Sequence, residues 1–355
     1  MPTPYRFTTP VRPRAATGRV AAVYAQVERD FLLADGPLMS LSPAPEVLAA
    51  TWALLREAEI VGAAGRAEKE AVASAVSLAN RCPFCTEAHA LLVRGAGDHG
   101  LAEAARAGRT PEDLRHAALL AWAAATRSPG DPALAAPPFT ADRAPEFLGT
   151  ALATHFINRM VTSLLDEDEL LPGAVRRSAT ARRAAALTVT RAARRSPEPG
   201  AGLAVLAAPA PAGSVPAWAG GSPVGEAYGA LRAVAAAGGE LLGAAARAAV
   251  LEAVAAWDGG HPPLGGAPAA VALADVPPAE RPGARLALLA ALAPYRITDA
   301  DVAAWRTGGG GGGDGELTRV LAFGAIAATA RVEEWITAGA GSAAADRGRG
   351  RRADS

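Results

Sequence analysis

The chain has 355 residues, enough for one large or two ordinary domains with a substantial buried core. Its 35 basic and 35 acidic residues cancel, which argues against a dedicated nucleic-acid or membrane-surface binder. The hydrophobic half of the composition is dominated by alanine, and Lys69 is the only lysine, a bias that carries no functional meaning by itself.

Residues 1–17 read as an N-terminal extension. The first thirty residues hold no apolar run of signal-peptide type, and no stretch of about eighteen strongly apolar residues occurs, so no membrane span is expected. The expected compartment is a bacterial cytoplasm. Helical spacing begins at Gly18 and runs to Leu33, with Val20, Val23, Val27 and Phe31 three or four apart. Pro45 opens a second helix carrying Val47, Leu48, Leu54 and Leu55. A third is expected over Ala67 to Leu78, a fourth from Pro83, and a further one over Leu101 to Ala107. Thr110-Pro111-Glu112-Asp113 reads as a helix start leading into Leu114 to Ala125, and a longer helix is expected from Pro145 through Leu165. Residues 196–225 are rich in Pro, Gly and Ala and read as a linker or long irregular connection. Helical pattern resumes at Ala227 to Ala237, Glu240 to Trp257, Arg285 to Leu292 and Leu317 to Ile336. Gly308 to Gly313 reads as a mobile loop, and residues 341–355 as a disordered tail. No alternating β-branched run of convincing length occurs, so the expected class is all-α.

The chemistry concentrates between Glu70 and His89. The two cysteines, Cys82 and Cys85, are the only ones and are spaced C-x-x-C. Pro83 suits the first position of a helix, because the N–H it lacks has no intrahelical partner there. That places Cys82 near an N-cap and Cys85 in the first turn, where the positive end of the helix favours thiolate over thiol. Cys85 and His89, four apart, share a helix face. Glu70, on the preceding helix, can be folded back toward them by the turn at Asn80-Arg81. Two thiols, an imidazole and a carboxylate make a proton relay around an activated nucleophile. Zinc is disfavoured: Cys82, Cys85 and His89 give three ligands, there is no second C-x-x-C, and His99 lies outside the motif.

Glu70 twelve residues before Cys82, then Cys82-Pro-Phe-Cys85, then His89, with Asn80 just ahead, resembles the active-site signature of the alkylhydroperoxidase D / carboxymuconolactone decarboxylase superfamily. Phe84 stands where the peroxidase branch has a histidine. The resemblance implies an all-α helical bundle over residues 18–195 and a thiol peroxidase or disulfide reductase serving antioxidant defence. In that assignment Cys85 attacks the peroxide, Cys82 resolves the sulfenic acid as a disulfide, and Glu70 and His89 shuttle protons. It further implies a peroxide substrate, a lipoyl or thioredoxin-like dithiol as reductant, a peroxiredoxin as a further partner, no bound cofactor or metal, and a homo-oligomer. A decarboxylase-like enzyme acting on a lactone acid and a non-enzymatic redox sensor are the competing readings.

Residues 226–340 read as a degenerate second copy of this domain. Leu119 to Arg127 resembles Leu288 to Arg296, and the stretch matching Cys82 to His89 holds His261 but no cysteine. His155 and Arg159 share a helix face and are read as interhelical hydrogen-bonding groups, with an entrance to the thiols or an acidic-substrate contact as the alternative. Asn80 is read as a turn or cap residue. Asp166 to Glu169 reads as a solvated acidic run, and the six tryptophans as core.

Overall fold

The computed structural model describes residues 4–31, 36–166, 187–262, 268–308 and 312–350, the side chains of 268–269 and 339–350 excepted. Among the described residues it is all-α, with an isolated bridge between Tyr5 and Leu165 in place of any sheet. In the first half the main helices are α1 (Gly18–Asp30), α2 (Pro45–Leu55), α3 (Arg66–Ala79), α4 (Pro83–Ala96), α5 (His99–Ala107), α6 (Leu114–Ala125) and α7 (Ala144–Leu164). In the second they are α8 (Pro223–Ala237), α9 (Ala244–Ala255), α10 (Arg281–Leu292), α11 (Asp299–Thr307) and α12 (Asp314–Gly350).

α7 is the centre. Every residue from Phe147 to Leu164 is buried, the signature of a helix packed on all sides. α3, α2 and α12 pack against it, and α8 packs on α2. A continuous apolar core therefore runs from Tyr5 to Ile336 through both halves. The connection after residue 195 is irregular, as its composition predicts, but it is held: a short turn at Ala201–Val205 packs against α1 and α2, and Glu57 accepts the Gly200 and Gly202 N–H groups at 2.6 and 2.8 Å.

Several boundaries differ from the sequence reading, each for a local reason. α1 stops at Asp30, whose buried carboxylate is drawn into the core by Arg56 at 2.7 Å. α6 keeps its expected bounds, Leu114–Ala125, and its cap is Asp113, which accepts from the His116 N–H. The stretch from Glu240 splits at Leu242-Gly243, and Glu280 then accepts from the Ala246 N–H at the start of α9. α12 extends well past Ile336, to Gly350, so residues 341–350 of the expected disordered tail are helical. The expected loop at Gly308 to Gly313, the end of the tail and the acidic run after Asp166 fall largely outside the described residues. No described helix is long and apolar enough to cross a membrane.

Between α2 and α3 the chain makes a π turn, Arg56–Ile60, that no sequence pattern announced. All five of its residues are buried, so three ionisable side chains enter the interior together. Arg56 pairs with Asp30 and Glu57, and Glu57 grips the connection at Gly200. Glu59 enters the interior near α3 and α4.

The second half closes on itself where Gly324 of α12 crosses α10; a Cβ there would lie 1.9 Å from the Ala287 carbonyl oxygen. Backbone cannot yield as a flexible side chain can. Gly324→Ala is therefore expected to destabilise the protein by about 1–3 kcal/mol, measured as a lower urea midpoint at unchanged slope.

Candidate functional site

The local sequence builds the dithiol as its spacing predicts. Cys82 is the N-cap of α4, Pro83 its first residue and Cys85 lies in the first turn. α3 ends at Asn80, and Arg81 takes a left-handed conformation (φ 58°), which reverses the chain between the two helices. The Cys82 N–H donates to the Ser77 carbonyl at 3.0 Å and the Thr86 hydroxyl donates to the Cys82 carbonyl at 3.0 Å. Both ends of the hairpin are thus pinned. The two cysteines are joined as a disulfide, the oxidised form of the pair. Cys82 is fully buried and Cys85 is 5% exposed.

Glu70 and His89 come together. His89 Nδ1 lies 2.7 Å from Glu70 Oε2. A carboxylate accepts only, so Nδ1 carries the proton and Nε2 is left as the acceptor of a further one. The other oxygen of Glu70 receives Arg66, with Nε at 2.7 Å and Nη2 at 2.6 Å. Burial pushes the Glu70 carboxyl up, but Arg66 and His89 outweigh it and hold it below the ordinary value. The same contact works in reverse on His89: burial lowers it, and the bond to Glu70 raises it above the ordinary value. Lys69, beside Glu70 in sequence, is committed elsewhere. It pairs with Glu146 at 2.8 Å and donates to the Val61 carbonyl, while Glu146 also accepts the Ala63 and Ala64 N–H groups.

Glu59 is the residue that sequence reasoning missed. One oxygen each of Glu59 and Glu70 and one nitrogen of His89 lie within 4.8 Å of one another. Glu59 is 5% exposed and its Oε1 has no hydrogen-bond partner. Burial is the main cause that raises its carboxyl to about 7, against the pull of His89. This set also has the residue types of a metal site, but Arg66 already occupies one oxygen of Glu70, and a guanidinium beside a divalent cation is repulsive. Only the π turn could have betrayed Glu59, and a π turn has no simple sequence signature.

Asn80, His155 and Arg159 make contacts between helices. Asn80 donates to Asn158 Oδ1 at 2.9 Å and meets His155 Nδ1 at 3.1 Å, and its own Oδ1 accepts from Arg127 at 3.2 Å. His155 is fully buried against the Thr126 hydroxyl at 2.9 Å, and burial lowers it well below its ordinary value. Arg159 donates to the Ala291 carbonyl at 2.8 Å. The interhelical reading of this pair therefore describes their contacts. A cavity of about 580 Å³ beside Leu203, Leu206 and Glu226 involves none of the dithiol residues.

A Mycobacterium tuberculosis protein, alkyl hydroperoxide reductase Rv2159c, is 39% identical to this chain over 339 residues, 93% of this chain and 94% of that protein. No family model and no solved structure matches.

Because Glu59 is protonated more readily in the fold than in the unfolded chain, the stability it contributes is complete below about pH 4.5 and is lost as pH rises through about 7. Glu59→Gln, which has no such loss, should gain on the parent by about 3 kcal/mol across that window. Urea unfolding at pH 5 and pH 8 measures it; a difference that does not change with pH would mean the carboxyl is not held neutral.

Proposed function

This chain belongs to the alkylhydroperoxidase D-like family, and we propose that it reduces alkyl hydroperoxides through the Cys82–Cys85 dithiol, with His89 and Glu70 as its proton relay. The observation that carries the reading is the 2.7 Å contact between a fully buried carboxylate and an imidazole four residues beyond Cys85 on the same helix. The name of the mycobacterial relative supports the substrate class.

In the reduced protein Cys85 is the attacking thiolate. It is the cysteine with some exposure, 5% against none for Cys82, and it lies in the first turn of α4, where unpaired N–H groups favour negative charge. Its sulfur bonds to the outer peroxide oxygen as the O–O bond breaks, and the departing alkoxide takes a proton from His89. The products are Cys85 sulfenic acid and an alcohol. The Cys82 thiol then attacks the Cys85 sulfur, its proton leaves with the hydroxide as water, and the disulfide forms. An external dithiol, lipoyl or thioredoxin-like, returns two electrons and two protons. Glu70, held ionised by Arg66, keeps His89 in the Nδ1–H tautomer, so that Nε2 is the nitrogen that exchanges protons.

Cys85→Ser is expected to abolish dithiol-dependent consumption of an organic hydroperoxide, and Cys82→Ser to stop after one turnover with a trappable sulfenic acid. Glu70→Gln or His89→Ala should cut the rate by about 10²-fold or more, the usual worth of a positioned acid–base group. Peroxide consumption that survives in the double-serine variant would end this reading, and activity of that variant on a lactone acid would replace it with the decarboxylase one.

A further inference from the structure

At the far end of α3 from Glu70 the charge balance reverses. Arg127 and Arg159 are both buried, 8% and 3% exposed, and both flank the ring of Trp257, at 5.2 and 5.5 Å from its centroid. Arg81 lies in the same field and lowers Arg127, and His261, brought down to about 4 by burial and then by Arg127, is a neutral imidazole beside them. Among the described residues none of these four makes an ion pair with a carboxylate, although the chain as a whole is neutral. Burial and the Arg127 charge bring Arg159 down to about 9, and burial and the Arg81 charge bring Arg127 to about 10.

Carbonyl oxygens serve the two guanidiniums. Arg127 donates to Gly259 at 2.8 and 2.9 Å, and Arg159 to Ala291 at 2.8 Å and to its own helix at His155 at 2.7 Å. These bonds tie the first half to the second, which is a structural role. They satisfy N–H groups but bring no net charge. The C-terminal end of α3 offers about half a negative charge, too little for two buried guanidiniums and their neighbours. A buried charge without a counter-charge is costly, and the usual remedies are a partner or an ion.

Between these groups is a cavity lined by Asn80, Arg127, Asn158, Arg159, His261 and Tyr295. About 10 Å³ of it is open to the centre of a water-sized occupant, room for a single water or an occupant of that size. The buried Tyr295 hydroxyl has no hydrogen-bond partner. We propose that this cavity binds a small monovalent anion at the seam between the two halves, a halide or one oxygen of the carboxylate of an organic molecule. The guanidinium of Arg159 supplies the charge and the Tyr295 hydroxyl a neutral donor. Neither cysteine lines it, and the proposal does not depend on the peroxidase reading.

The test is calorimetric titration of the full oxidised chain with sodium formate and with sodium chloride at constant ionic strength, with bromide-soaked crystals alongside. A saturable binding isotherm is expected with at least one anion. Saturation by formate alone identifies an organic carboxylate as the ligand type, and saturation by chloride a free halide. Tyr295→Phe, which keeps the ring, should weaken the apparent affinity several-fold, and Arg159→Met should remove the saturable response. Where Arg159→Met does not fold, Tyr295→Phe and the bromide peak decide. A salt response without saturation, or one unchanged in Tyr295→Phe together with a cavity holding water instead of bromide, overturns the proposal.

Discussion

A carboxylate with no access to water stays charged only where fixed positive groups replace the lost solvation, and the dithiol site depends on that condition at Glu70. Arg66 takes one oxygen and His89 the other, so each oxygen of the group has a partner. Arg66 sits one turn earlier on the same helix, and at that spacing the pair needs no tertiary contact to form. His89 comes from α4, and its bond to Glu70 therefore fixes the angle of the whole α3–α4 hairpin. The same three side chains hold a buried carboxylate charged and join α3 to α4.

The π turn explains how so much charge lies inside a protein whose core is largely alanine and leucine. A widened turn shifts the phase of the residues around it, and such turns recur at functional sites. Here it buries Arg56, Glu57 and Glu59 within four residues. Arg56 and Glu57 are consumed in holding α1 and the connection to the second half. Glu59 is left without a partner for Oε1, beside Glu70 and His89. A neutral carboxyl at that place tolerates the ionised Glu70, and an ionised one would favour the imidazolium of His89. The turn thus links the fold's long-range clamps to the electrostatics of the relay.

What could be read from the sequence was local. Pro83 after Cys82 fixed a helix start, and the four-residue step from Cys85 to His89 fixed a shared face; both depend on covalent neighbours and helix period alone. The all-α class followed from apolar spacing in the same way. Glu59 could not be read, because its place depends on a π turn and on α3 and α4 arriving beside it. Helix ends failed where a distant group decided them: Asp30 yielded to Arg56, and Gly243 to Glu280. His155 and Arg159 were visible as polar residues in an apolar helix, but their partners at Thr126, Asn80 and Ala291 come from three other segments.

α3 therefore separates two kinds of interior charge. Toward its first turns stand Glu59 and Glu70 with Arg66 and His89; past its last turn stand Arg81, Arg127 and Arg159. A helix dipole favours that second arrangement, since cations belong at a C-terminal end. α4 starts at the same place, so its positive N-terminal end adds to the arginines instead of opposing them. Cys82 sits where the two fields meet, two residues beyond Asn80, which Arg127 holds. Any negative charge formed there, on sulfur or on a bound anion, is met by a helix end and by guanidiniums that lack carboxylates of their own. The hairpin thus sets Cys82 against a positive electrostatic background, while Glu59 and Glu70 stand at the other end of α3.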